Sequence, residues 1–264
     1  SQNLPRLRRF GSRVKPPISY IIASVQRSGT HLLCSILRST SVAGRPGEYF
    51  FCKRTETWEK RWGSPSRAAY VERAFRHGST PNGVFGFVAM WTYFDRVIDM
   101  LHEIPGYEQL ARIAVLDAVF NRPKYIWMRR RDRIRQAVSW TIASQTEIWS
   151  QKPGEAPQFN PPPRFDFELI DRRYNDILND ETSWENYFCQ NQIEPLVLFY
   201  EDVIVSNGDA AERALEFLRI PFPADLKIAT PSVEKQATAL SEEWATSYRK
   251  LKQDKTGQIM TKLE

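Results

Sequence analysis

Ile18-Ser19-Tyr20-Ile21-Ile22-Ala23 leads into Gln26-Arg27-Ser28-Gly29-Thr30, after which Leu32, Leu33, Ile36 and Leu37 recur at helical spacing. The first stretch is short, apolar and β-branched, as a buried parallel strand is. Strand, short polar loop and helix, in that order, make an α/β unit whose loop is the size of a phosphate. A helix N-terminus offers unpaired N–H groups and the positive end of a dipole, which suit an anion. Arg27 adds a cation, Ser28 and Thr30 add hydroxyls, and Gly29 permits close backbone approach. An ordinary polar turn would read the same way, so the loop needs a second feature to gain meaning.

The pattern returns along the chain. Val84 to Met90 reads as a strand and Phe94 to Leu101 as a helix. Lys124 to Met128 reads as a strand, followed by a helix from about Asp132 to Ser150. Residues 165–192 read as mainly helical, Pro195 to Tyr200 as a strand, and Asp209 to Leu218 as a helix. Such alternation predicts a parallel β-sheet flanked by helices on both faces. Residues 146–164, rich in Pro and Gln, read as a loop or flap. We expect one domain over residues 18–264, preceded by a flexible basic segment at residues 1–17 that lacks the apolar core of a secretory signal.

A chain of 264 residues buries enough apolar surface to fold without disulfides or a structural metal. The three cysteines, Cys34, Cys52 and Cys189, have no metal-ligand spacing and suit a reducing, cytoplasmic setting. No run has the roughly 18 apolar residues of a membrane helix. The histidines are isolated and no carboxylates cluster at ligand spacing, so no metal is expected; His77 and His102 read as surface or structural. The net charge of +6 is modest. Its placement is informative, because Arg129, Arg130, Arg131, Arg133 and Arg135 follow directly on the strand at 124–128. Cations sit poorly at a helix N-terminus unless an anion offsets them.

Three classes fit a basic α/β chain of this kind. A metal-dependent small-molecule kinase would need a Gly-x-x-x-x-Gly-Lys loop and an acidic metal ligand at a strand end, and neither is present. A nucleic-acid binder would interleave aromatics with the arginines on one face, whereas here the cluster sits at the end of a strand, where α/β sheets bind small ligands. The third class is a transferase that uses an anionic nucleotide.

The third class gains a name from resemblance. Gln26 to Cys34, Gly44-Arg45-Pro46-Gly47-Glu48-Tyr49-Phe50, Asn82 to Gly86 with Met90-Trp91, the arginine-rich stretch ending Gln136-Ala137-Val138-Ser139, Tyr200-Glu201-Asp202, Lys235-Gln236-Ala237 and Glu243-Trp244 occur in an order that resembles the bacterial trehalose 2-sulfotransferase family. The likeness runs from about residue 18 to 250. It implies a P-loop-like sulfotransferase fold and the donor 3′-phosphoadenosine 5′-phosphosulfate, with adenosine 3′,5′-bisphosphate as product. It implies a sugar or glycolipid acceptor such as trehalose or a lipopolysaccharide sugar, and neither metal nor nucleic acid; a homodimer is an expectation of the resemblance alone.

By position, Arg27, Ser28, Gly29, Thr30 and His31 would hold the 5′-phosphosulfate. Arg131 and Ser139, eight residues apart, would hold the 3′-phosphate, with Arg130 as helper. Glu48 matches the family's general base, with His31 as the rival base and a Glu48–Arg45 ion pair as the structural alternative. Arg45, Glu48, Tyr49, Phe50 and Trp91 would face the acceptor, and Trp58, Trp62 and Trp149 are further aromatic candidates. Two departures stand out: Val88 where the family often has lysine, and His31 where it often has a hydroxyl residue.

Overall fold

A computed structural model describes residues 15–149, 159–222 and 239–261. Strand β1 (Ile18–Ser24) is followed by α1 (Thr30–Ser39), α2 (Cys52–Trp62), α3 (Arg67–Gly78) and β2 (Val84–Met90). Helices α4 (Trp91–His102) and α5 (Arg112–Phe120) precede β3 (Lys124–Arg129), α6 (Arg133–Thr146) and α7 (Phe167–Gln190). Strand β4 (Leu196–Phe199), α8 (Tyr200–Val205), α9 (Asn207–Leu218) and α10 (Ala239–Thr261) complete it.

The four strands form one parallel sheet in the order β2-β1-β3-β4. Side chains alternate between its faces, the strand's two-residue period. Ile21, Ala23, Phe85, Phe87, Tyr125 and Trp127 enter one apolar layer, shared with α3, α4, α5, α6, α7 and α10. Tyr20, Ile22, Val88, Ile126, Met128 and Leu198 enter the other, under α1 and α9. Burial on both faces explains why these strands read as continuous apolar runs. Tyr20 spans the second layer, its hydroxyl donating to the Ala43 carbonyl at 2.7 Å. Gly86 makes room for that ring, since a Cβ there would lie 2.2 Å from Tyr20 Cζ.

From β1 the chain goes to β2 on one side, then crosses back to β3 on the other. Ligands of open α/β sheets bind in the crevice at such a reversal, beyond the carboxyl ends of the strands. Here that place is the loop after Ser24.

All four predicted strands form, within about a residue of their expected ends, though Tyr200 opens α8 instead of closing β4. Helix α4 begins at Trp91, ahead of the expected Phe94, and α6 stops at Thr146, where Glu147 turns left-handed at φ 57°. Helices α2, α3, α5 and α10 were not expected from periodicity. In α5 apolar residues occur all round, so no stripe marks it. Of the presumed flap, residues 150–158 lie outside the described residues, as do residues 1–14 of the basic N-terminal segment.

Candidate active site

The loop from Val25 to Gly29 turns sharply because Arg27 and Gly29 both have positive φ, 63° and 96°. Only glycine fits at 29: a Cβ there would lie 2.5 Å from Tyr200 Cδ2 and 3.1 Å from Met128 Cε. Helix α1 begins when Leu32 N–H and Leu33 N–H donate to the Gly29 carbonyl, at 3.1 and 3.2 Å. Its first turn holds no acidic residue. Ser28 is 1 % exposed, and among the described residues its Oγ has no hydrogen-bond partner. A buried hydroxyl left unpaired costs about 1–3 kcal/mol, so its presence at a helix N-terminus points to an anion that completes it.

Arg27 reaches from this loop to α6, where Nε donates to Ser139 Oγ at 2.9 Å. Its Nη1 donates to the Trp149 carbonyl at 2.6 Å. Burial, and then the neighbouring charge of Arg130, bring the Arg27 guanidinium down to about 10. Burial also lowers Arg130. Arg130 lies over the Tyr200 ring at 4.9 Å, and its buried Nε has no partner among the described residues. Arg27, Arg130, Ser139 and Tyr200 therefore enclose the loop on its β3 side. Two partly desolvated like charges and a neutral hydroxyl suit a bound phosphate.

The rest of the arginine cluster is already neutralised. Arg129 Nη2 and Arg133 Nε each donate to Glu181 Oε2 at 2.8 Å, and Arg129 Nη1 lies 3.4 Å from Glu185 Oε1. Arg135 pairs with Glu242 at 2.6 Å. Arg131 is bidentate on Asp202, at 2.6 and 2.7 Å, with its guanidinium 4.1 Å from the Phe199 ring centroid; that hydrogen bond to Asp202 raises the guanidinium above its ordinary value. Glu201 accepts from the N–H groups of Arg131 and Asp132. The anion that the helix start demands is thus supplied largely by the protein's own carboxylates. The eight-residue spacing pointed to Arg131 beside Ser139, whereas the structure turns Arg131 outward and brings Arg130 toward the loop. Successive residues at a strand end point opposite ways, which separates Arg129 from Arg130; spacing alone does not reveal that split.

Glu48 is held beside β2: Gly47 bridges Phe87, and Val88 N–H donates to the Gly47 carbonyl at 3.0 Å. The Glu48 side chain is largely buried, 10 % exposed, and its Oε1 lies 3.3 Å from His31 Nε2 in the first turn of α1. Both base candidates thus occupy one spot. Arg45 is turned to the other side, donating from Nη1 to the His77 carbonyl at 3.4 Å. Tyr49 and Phe50, expected at the acceptor, lie in the core at 4 % and 2 % exposure. The Tyr49 hydroxyl donates to the Arg45 carbonyl at 2.6 Å, and Phe50 packs edge-on to Phe87 and Phe120. These two rings support Glu48 from beneath. Trp58 and Trp62 stack on each other at 4.7 Å. Partly buried Trp91 packs on Trp184 at 5.0 Å.

A family model for Stf0 sulphotransferases matches residues 19–251. The chain belongs to the Stf0 sulphotransferase family. Two similar proteins are the trehalose 2-sulfotransferases of Mycobacterium tuberculosis and Mycolicibacterium smegmatis. The first is 27 % identical over 256 residues, covering 87 % of this chain and 94 % of that protein. The second is 28 % identical over 260 residues, covering 89 % and 95 %. This sulfotransferase has no group of three or more metal-ligating side chains among the described residues, and none of its described helices is long and apolar enough to cross a membrane. Sequence reasoning ranked Arg130 below Arg131 and gave Tyr200 no role. The available signal for both was the strand end: Arg130 directly follows β3 and Tyr200 directly follows β4, its neighbour in the sheet.

Proposed function

We propose that this sulfotransferase moves a sulfuryl group from 3′-phosphoadenosine 5′-phosphosulfate to a hydroxyl of a carbohydrate. The observation that carries the reading is the 2.9 Å bond from Arg27 to Ser139, which joins the anion loop to the helix expected to hold a 3′-phosphate. The Ser28 hydroxyl and the Arg130 Nε, both without a partner among the described residues, and the acid-free start of α1 fit a ligand with two separate anionic groups. Ser28, Gly29, Thr30 and the first N–H groups of α1 would hold the 5′-phosphosulfate. Ser139 and Arg130 would hold the 3′-phosphate, and Arg131 would steady the turn through Asp202.

The donor's phosphosulfate anhydride supplies an activated sulfuryl group. Transfer then asks the protein for alignment and charge stabilisation. Arg27 and the α1 N-terminus offset charge appearing on the departing phosphate oxygen. Glu48 takes the proton of the attacking hydroxyl as the new oxygen–sulfur bond forms, and His31 orients that carboxylate. The names of the similar mycobacterial proteins support a sugar, trehalose among them, as acceptor. The free thiols of Cys34 and Cys189 support a cytoplasmic setting.

Calorimetric titration with adenosine 3′,5′-bisphosphate in the absence of Mg²⁺, beside ATP with it, tests the donor. One-to-one micromolar binding of the bisphosphate is expected. Binding of ATP alone, or of neither nucleotide, would overturn the reading.

A further inference from the structure

Asp180 and Glu181 are neighbours on α7 with different surroundings. Glu181 holds Arg129 and Arg133. Half-buried Asp180 accepts a hydrogen bond from Thr92 Oγ1 at 2.7 Å, and among the described residues no lysine or arginine pairs with it. Burial keeps its carboxyl above the usual range. Thr92 Oγ1 also lies 3.3 Å from Gln26 Oε1, and Gln26 Nε2 has no partner among the described residues although Gln26 is only 5 % exposed. Thr92 has one proton, and the shorter bond to Asp180 takes it. The Gln26 amide nitrogen, a donor of two protons, is thus left open among the described residues.

The place of this cluster is set by register. Ser24 pairs with Met90, so Gln26 and Thr92, each two residues past a strand end, rise side by side from the carboxyl edge of the sheet. Asp180 is fixed above them, because Trp184 one turn further along α7 donates from Nε1 to the Ser24 carbonyl at 2.9 Å. The cluster lies on the β2 side of β1, the side where Gly47 holds Glu48; Arg130 and Ser139 lie on the β3 side. A carboxylate and an amide end that have, among the described residues, no cation and no acceptor respectively, beside an exposed hydroxyl, suit a neutral ligand with several hydroxyls, which can both donate and accept.

We infer that Gln26, Thr92 and Asp180 form a polyol subsite that binds acceptor hydroxyls other than the one that is sulfated. This rests on the sugar-acceptor reading above and deepens it.

The test is titration of trehalose into the full chain saturated with adenosine 3′,5′-bisphosphate, with kcat and KM measured in parallel for wild type, Asp180→Asn, Thr92→Val and Thr92→Ser. Asp180→Asn and Thr92→Val should each raise the trehalose KM and Kd at least tenfold, leave bisphosphate affinity within twofold and change kcat little. Thr92→Ser, which keeps the hydroxyl, should restore most of the affinity. Unchanged trehalose affinity in Asp180→Asn and Thr92→Val would overturn the subsite while leaving the sugar reading intact. Equal losses of nucleotide and sugar binding would also overturn it, as a purely structural effect. Wild type that binds and sulfates no trehalose, despite binding the bisphosphate, would remove the sugar acceptor and the subsite together.

Discussion

The arginines on the two sides of β3 behave differently although they come from one run of sequence. On the α7 side, Arg129 and Arg133 share the carboxylate of Glu181, which is 4 % exposed. On the loop side, burial and then the charge of Arg130 lower the Arg27 guanidinium, burial lowers Arg130, and Arg27 donates to the Ser139 hydroxyl and the Trp149 carbonyl. The first group completes its electrostatics within the fold; in the second, the buried Arg130 Nε has no partner among the described residues, which suits a ligand's charge. A cluster of like charges is therefore informative only after its internal counter-ions have been identified.

Five substitutions test that contrast. Glu181→Ala should have the largest effect, lowering stability by about 3 kcal/mol because it strands two partly buried cations; urea unfolding would show this, and a loss under 1 kcal/mol would mean that the pair is not structural. Arg27→Ala should lower kcat about 10²-fold through loss of a preorganised charge-stabilising donor, with near-wild-type turnover arguing against the loop as the donor site. Glu48→Gln should match that fall in kcat while bisphosphate affinity stays within twofold, separating proton removal from binding; full activity would pass the base role to His31. Arg130→Met should weaken bisphosphate binding about tenfold, roughly 1.4 kcal/mol, without lowering the thermal midpoint, since it removes a buried cation next to another. The smallest change is expected for Arg131→Ala, less than twofold in bisphosphate affinity by calorimetry. If Arg131→Ala weakened binding more than Arg130→Met did, the division between the two sides would have to be redrawn.

The turn at Ser28-Gly29 was legible because adjacent residues define it, a hydroxyl and a glycine just ahead of an apolar period of 3.6; its positive φ is seen only in the structure. Glu48 and His31 were both identified, yet as rivals, and only tertiary contact shows them 3.3 Å apart. Tyr49 and Phe50 share their segment with Glu48 and seemed to face the acceptor. Burial reassigns them, because the bridge at Gly47 orients that segment against β2 and directs both rings into the core. Asp180 and Thr92 gave no sequence signal, being common residues separated by 88 positions.

The sequence by itself determined the four parallel strands and the short polar loop between the first of them and a helix. These rest on periods of two and 3.6 residues and on groups adjacent in the chain. Tertiary structure alone decided which arginines pair with carboxylates and which lie toward the loop, and which carboxylate has a hydroxyl rather than a cation as its partner among the described residues. Such assignments depend on side chains dozens of residues apart meeting across a strand end, and spacing along the chain carries no record of those distances.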